Sequence, residues 1–82
     1  ALPISEAKQA MQNISAVLKE AGAEFSQIVK TTIFLVSMED FAAVNEVYGS
    51  FFDGQFPARE TVAVAALPRN ARVEISVIAS LS

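Results

Sequence analysis

An 82-residue chain that is 52% hydrophobic, with a mean hydropathy of +0.40, carries more apolar surface than one small domain can hide, because a chain this short buries only about 60–65% of what its unfolded form exposes; the surplus points to an interface with other subunits. Without Cys or His it can form no disulfide framework and no thiolate metal site, and it has no imidazole to act as base, triad member or ligand. A net charge of −3 with scattered Lys and Arg argues against nucleic acid as the main partner, and with neither a signal peptide nor the ~20-residue apolar run of a membrane span the expectation is a soluble cytoplasmic or organellar protein.

Taken in chain order, Ser5 is placed to cap a helix running to about Ala21. Ala7, Ala10, Met11, Ile14, Val17, Leu18 and Ala21 recur at three- and four-residue spacing as one buried stripe. Gly22 stands where a left-handed cap belongs. Residues 28–36 (IVKTTIFLV) are β-branched and aromatic, apolar on both faces apart from Lys30, Thr31 and Thr32, which predicts a strand central in its sheet. Ser37 is expected to cap a second helix, with Asp40 at its third position as a variant capping box. Phe41, Val44, Tyr48 and Phe51 or Phe52 supply that helix's buried stripe, and Asp53-Gly54 ends it. Two further strands are expected at about 60–66 and 72–80, joined by the short connection 67–71. In the last, Val73, Ile75, Val77 and Ala79 make one apolar face while Glu74 and Ser76 point the other way. With no repeat or linker, residues 1–82 form a single α+β domain of two layers, helices on one face of the sheet.

Few residues could carry chemistry. Arg59 follows Pro57-Ala58 at the mouth of a strand, where a guanidinium can fork onto a carboxylate; it can equally be a surface arginine. Glu74 sits mid-strand, where glutamate is depleted. It is either a solvent-facing side chain on an open sheet or, if another subunit covers that face, a part-buried carboxylate with a raised pKa and a candidate general base. Glu60 competes for the same roles from the strand mouth, where it is more readily solvated. Asn45 lies on the second helix beside the buried stripe, and Thr61 is an ordinary strand threonine unless its backbone and hydroxyl serve a ligand held by Arg59. On spacing alone no catalytic role stands.

Two strings change the weighting. Ile28-Val29-Lys30-Thr31-Thr32-Ile33-Phe34-Leu35, Asp40-Phe41, Val44-Asn45-Glu46-Val47-Tyr48 and Phe51-Phe52 resemble the middle of RidA/YjgF proteins. Pro57-Ala58-Arg59-Glu60-Thr61-Val62, Val64-Ala65-Ala66-Leu67-Pro68 and Val73-Glu74-Ile75 resemble that family's C-terminal signature in order and spacing. The resemblance covers essentially every residue after Ser5. It implies a chorismate-mutase-like fold, a homotrimer with a barrel-like core, and clefts between subunits. It also implies hydrolysis of enamines and imines such as 2-aminoacrylate to 2-keto acids and ammonia, without cofactor or metal. By that likeness Arg59 anchors the substrate carboxylate, the backbone at Thr61 supports it, Glu74 activates the attacking water, and Asn45 lines the cleft. The five-residue connection would otherwise suggest a hairpin; the family's topology instead puts the 28–36 strand between the last two. Thr61 departs from the Cys frequent at its position, with little loss expected because the backbone matters most there.

The chain opens on Ala1 rather than Met, and the stretch that family members carry before the first helix is missing from it. The 72–80 strand would then be an unpaired apolar edge, so the native protein is expected to include an N-terminal segment on a separate or missing piece of chain. A non-catalytic trimer that binds small carboxylates is the alternative to the deaminase, sharing Arg59 but not needing Glu74. Ribonuclease chemistry, given for some relatives, is hard to support in an acidic chain without His.

Overall fold

The computed structural model describes residues 3–80. Helix α1 (Pro3–Glu20) is followed by β1 (Ile28–Leu35), α2 (Phe41–Gly49), β2 (Ala58–Ala63) and β3 (Val73–Ala79), with single 3-10 turns before β1, before α2 and between β2 and β3. The sheet order is β2-β1-β3. The central strand β1 pairs in parallel with β2 and antiparallel with β3, so the hairpin suggested by the short connection is not formed and the family-like order is. Both helices lie on one face, the two-layer α+β arrangement expected from the sequence.

The helix limits differ from the sequence expectation for local reasons. Helix α1 is already helical at Pro3, a residue whose fixed φ and missing N–H suit a first turn, so Ser5 lies inside the helix and does not cap it. At the other end Gly22 adopts φ +75. The Ala23 N–H reaches the Leu18 carbonyl at 2.7 Å and the Gly22 N–H the Lys19 carbonyl at 3.1 Å, the paired bonds of a Schellman cap. Ala7, Met11 and Leu18 are buried as expected, but Val17 is 68% exposed: one residue is about 100° of rotation, which turns it off the core stripe to the flank. Helix α2 begins after a 3-10 turn in which the Ser37 hydroxyl accepts the Glu39 N–H. Asp40 takes no part in a capping box and instead holds Arg72 at 3.2 Å. The helix stops at Gly49, short of Asp53-Gly54. Beyond it the chain tightens, with Phe51 N–H on the Tyr48 carbonyl and Phe52 N–H on the Gly49 carbonyl, and the tighter winding carries Phe51 and Phe52 onto the core.

Strand β1 carries a bulge at its start. Its register against β3 shifts between Ile28 and Lys30, so the extra residue lets Ile28 face the helices together with Thr31, Ile33 and Leu35, all of them buried. Strict alternation would have set Ile28 on the opposite face from Ile33. Strand β2 ends at Ala63, not Ala66, because its partner β1 ends at Leu35, to which Ala63 is matched. The connection to β3 then steps across the end of β1: the Val64 N–H bonds the Leu35 carbonyl at 2.8 Å and the Val36 N–H bonds the Arg72 carbonyl at 3.2 Å. Arg69 and Asn70 take φ 58 and φ 56 there, a left-handed step that Asn tolerates and Arg adopts at a steric cost of about 1 kcal/mol.

Candidate active site

Register assigns each candidate to a face. Thr31 is matched to Arg59 and Ile33 to Thr61, and matched residues point the same way, so Arg59 and Thr61 stand on the helix-covered face. Phe34, one step out of phase, is matched to Glu74. Glu74 therefore stands on the bare face, exposed. Arg59 and Glu74 are separated by the sheet itself.

On the helix side the structure gathers a cleft of about 400 Å³ lined by Asn45, Tyr48, Gly49, Phe56, Pro57 and Arg59. Pro57 restricts the approach to β2, and Arg59 follows as its second residue. The guanidinium carbon lies 5.5 Å from the centre of the Phe41 ring and 5.8 Å from that of Tyr48, within cation–π range. Among the described residues no carboxylate or carbonyl takes its N–H groups. Asn45 lies four residues after Phe41 and three before Tyr48, on the same face of α2, and brings an amide into the cleft. Beneath them the Tyr48 hydroxyl donates to the Thr31 hydroxyl at 3.0 Å in a fully buried bond. The Thr61 Oγ1 is buried with no hydrogen-bond partner among the described residues. Chemically, this face offers a cation with donors unused among the described residues, an amide and an apolar wall ending in Phe56, which is 60% exposed, groups of the kind a small carboxylate requires.

The other face sorts the two glutamates. Glu60 is 3.4 Å from the Lys30 ammonium, and the Thr32 hydroxyl donates to it at 3.4 Å. Glu74 has no such partner among the described residues and remains available. On the same face of the sheet Val62 and Ile78 are exposed large apolar groups. No cluster of three or more acidic side chains that could hold a metal gathers among the described residues, and no helix there is long and apolar enough to cross a membrane.

The family resemblance groups Arg59, Asn45, Thr61 and Glu74; here Arg59 and Asn45 line one cleft, Thr61 shares the face of Arg59 without lining that cleft, and Glu74 lies on the other face, while spacing alone reads Tyr48 and the phenylalanines as core. The signal for their second role was the spacing of Phe41, Asn45 and Tyr48, which puts aromatic faces and the amide on one stripe. Gly49 ends α2 without a side chain to read, and Phe56 gave no signal because it joins the cleft through the loop after that helix.

The family model described as Endoribonuclease L-PSP matches residues 2–81. A 2-iminobutanoate/2-iminopropanoate deaminase from Mus musculus is 53% identical over 76 residues, which is 93% of this chain and 56% of that protein. Among solved structures, E. coli TdcF with bound serine aligns at a TM-score of 0.95 and 38% identity over 100% of this chain and 67% of that one. The YjgF gene product of E. coli aligns at 0.94 and 40% over the same shares. The chain thus spans a little over half the length of the curated relative it matches.

Proposed function

The chain belongs to the Endoribonuclease L-PSP family, the RidA/YjgF proteins, and on that premise we propose that the native protein hydrolyses reactive imines of small 2-keto acids, of the 2-aminoacrylate and 2-iminobutanoate type, to the keto acid and ammonia. The observation that carries this is Arg59, a cation with unspent donors in a cleft sized for a small carboxylate, in a chain half identical to a protein named for that deamination. The chemistry needs little more. An enamine tautomerises to an imine, whose carbon is already electrophilic, so no cofactor or metal is called for. Water adds through oxygen to that carbon while Glu74 accepts its proton. That proton passes to nitrogen to give the carbinolamine; the hydroxyl proton then moves, through Glu74, to the amine, and as C=O forms the C–N bond breaks and ammonia leaves with its electron pair. Orientation and general acid–base help supply the acceleration, with Thr61 and Asn45 supporting the ligand that Arg59 holds.

Because Arg59 and Glu74 stand on opposite faces of one sheet, a single ligand reaches both only where a second copy supplies one of them. A homotrimer with clefts between subunits, completed by an N-terminal segment, meets that requirement and also covers the bare apolar face.

The test uses the native protein and 2-aminoacrylate generated in the assay. Wild type speeds keto-acid release; Arg59→Ala loses both this and binding of 2-oxobutanoate; Glu74→Gln keeps binding but loses turnover by about 100-fold or more. Unchanged rates in Arg59→Ala would sink the mechanism. A wild type that binds 2-oxobutanoate yet never turns over imine makes the protein a carboxylate-binding module instead.

A further inference from the structure

We infer that Phe41 and Tyr48 are positioning residues for the carboxylate anchor: their rings form a shelf that holds the Arg59 guanidinium in place while leaving its donor fork free. The inference rests on Arg59 being that anchor, and goes beyond it by naming what presents the cation.

An arginine on a strand next to a cleft faces two opposed hazards. If a neighbouring carboxylate fixes it, its N–H groups are spent and an incoming anion must displace that partner. If nothing fixes it, a side chain with many rotamers is frozen only on binding, and affinity falls by that cost. Aromatic faces avoid both, since a ring attracts the cation through its π-cloud and takes none of its in-plane donors. The structure has this arrangement. The Arg59 carbon lies 5.5 and 5.8 Å from two ring centres, while the nearby carboxylates are engaged elsewhere, Asp40 by Arg72 at 3.2 Å and Glu60 by Lys30 at 3.4 Å.

The shelf is itself fixed. Tyr48 is 2% exposed; its hydroxyl is tied to Thr31 at 3.0 Å, and its ring packs on Phe52 at a centroid distance of 4.8 Å. Thr31 is also the residue matched to Arg59 across the β1–β2 ladder. One strand position thus sets the backbone under the arginine and, through its hydroxyl, the ring beside it. A core tyrosine would need its hydroxyl satisfied in any case. What a purely structural role does not account for is a cation above its face.

Calorimetric titration of the native protein with 2-oxobutanoate, together with melting temperature and steady-state kinetics, tests this. Phe41 is only partly buried, so Phe41→Leu keeps an apolar side chain without removing a core group. It is expected to raise Kd and KM about two- to fivefold, the worth of one such contact, with kcat unchanged. Phe41→Tyr, which restores a ring, returns Kd to the wild-type value. Tyr48→Phe keeps the ring and loses the bond to Thr31, so its melting temperature falls more than that of Phe41→Leu while its Kd rises less. An unaltered Kd in Phe41→Leu overturns the shelf, as does a Kd that follows melting temperature across all three variants. Arg59→Ala separates the two levels: if it binds 2-oxobutanoate as wild type does, the anchor reading has failed; if it loses binding while the ring variants do not change it, only the shelf has.

Discussion

The two faces of this sheet are made from the same three strands and finished to different degrees. On one, β1 sends in Thr31, Ile33 and Leu35, α1 and α2 cover them, and Arg59 meets aromatic rings, an amide and a cleft. On the other, Val62 and Ile78 stand exposed with Glu74, and Glu60 is held by Lys30 and Thr32. A single chain therefore gathers Arg59, an amide and aromatic rings in one cleft but leaves Glu74 on an open surface. On the proposed function, local packing builds the half of the site around Arg59, and the half around Glu74 waits on a second copy.

The sharpest way to break that contrast is complementation. If Arg59 of one copy works with Glu74 of another, Arg59→Ala and Glu74→Gln proteins, each inactive alone, regain activity when unfolded and reassembled together, with roughly a quarter of sites restored by random mixing. No recovery in a co-assembled sample would show that both residues act from one chain. Next in size is Ile78→Asp, which puts a charge among the exposed apolar groups of the bare face. We expect the native oligomer to dissociate or to weaken by tenfold or more in analytical ultracentrifugation; an unchanged assembly would mean that this face stays open to water.

Smaller effects probe the finished face. Thr31→Val removes the acceptor of the buried Tyr48 hydroxyl and should lower unfolding free energy by about 1–3 kcal/mol, read from the denaturant midpoint at unchanged slope. Smallest is the clasp at the start of β3. There one Glu6 carboxylate oxygen accepts the Arg72 N–H at 2.7 Å and the Val73 N–H at 3.3 Å, and Glu6→Ala should cost about 1 kcal/mol. A Glu6→Ala midpoint equal to wild type would mean water replaces the carboxylate there at no loss.

Much of this was legible in the sequence. The centre of the α1 stripe at Ala7, Met11 and Leu18, the central place of β1 and the apolar face of β3 survive in the structure, while Val17 and Ala21 turn out exposed. The surviving features depend on near neighbours: period, cap and turn chemistry act within a few residues. The misplaced ends have tertiary causes. β2 stops where its partner stops, and α2 gives way to a tighter turn that seats Phe51 and Phe52. Asp40, expected to serve its own helix, reaches Arg72 from 32 residues away in the chain.

The same division runs through the site. Composition and order alone determined a small acidic α+β chain with surplus apolar surface, a lone arginine at a strand mouth and a glutamate inside a strand. Only the tertiary structure decided that these two face apart, because side-chain facing follows from register. Register here is set by the pairing of Thr31 with Arg59 and of Phe34 with Glu74, and by the crossing of 64–72 over the end of β1. Period-two alternation tells which residues of one strand share a face, but not which face of a neighbouring strand they join. That is settled by hydrogen bonds between segments about 30 to 50 residues apart, and they are what place Arg59 against Phe41 and Tyr48 and leave Glu74 on the far side.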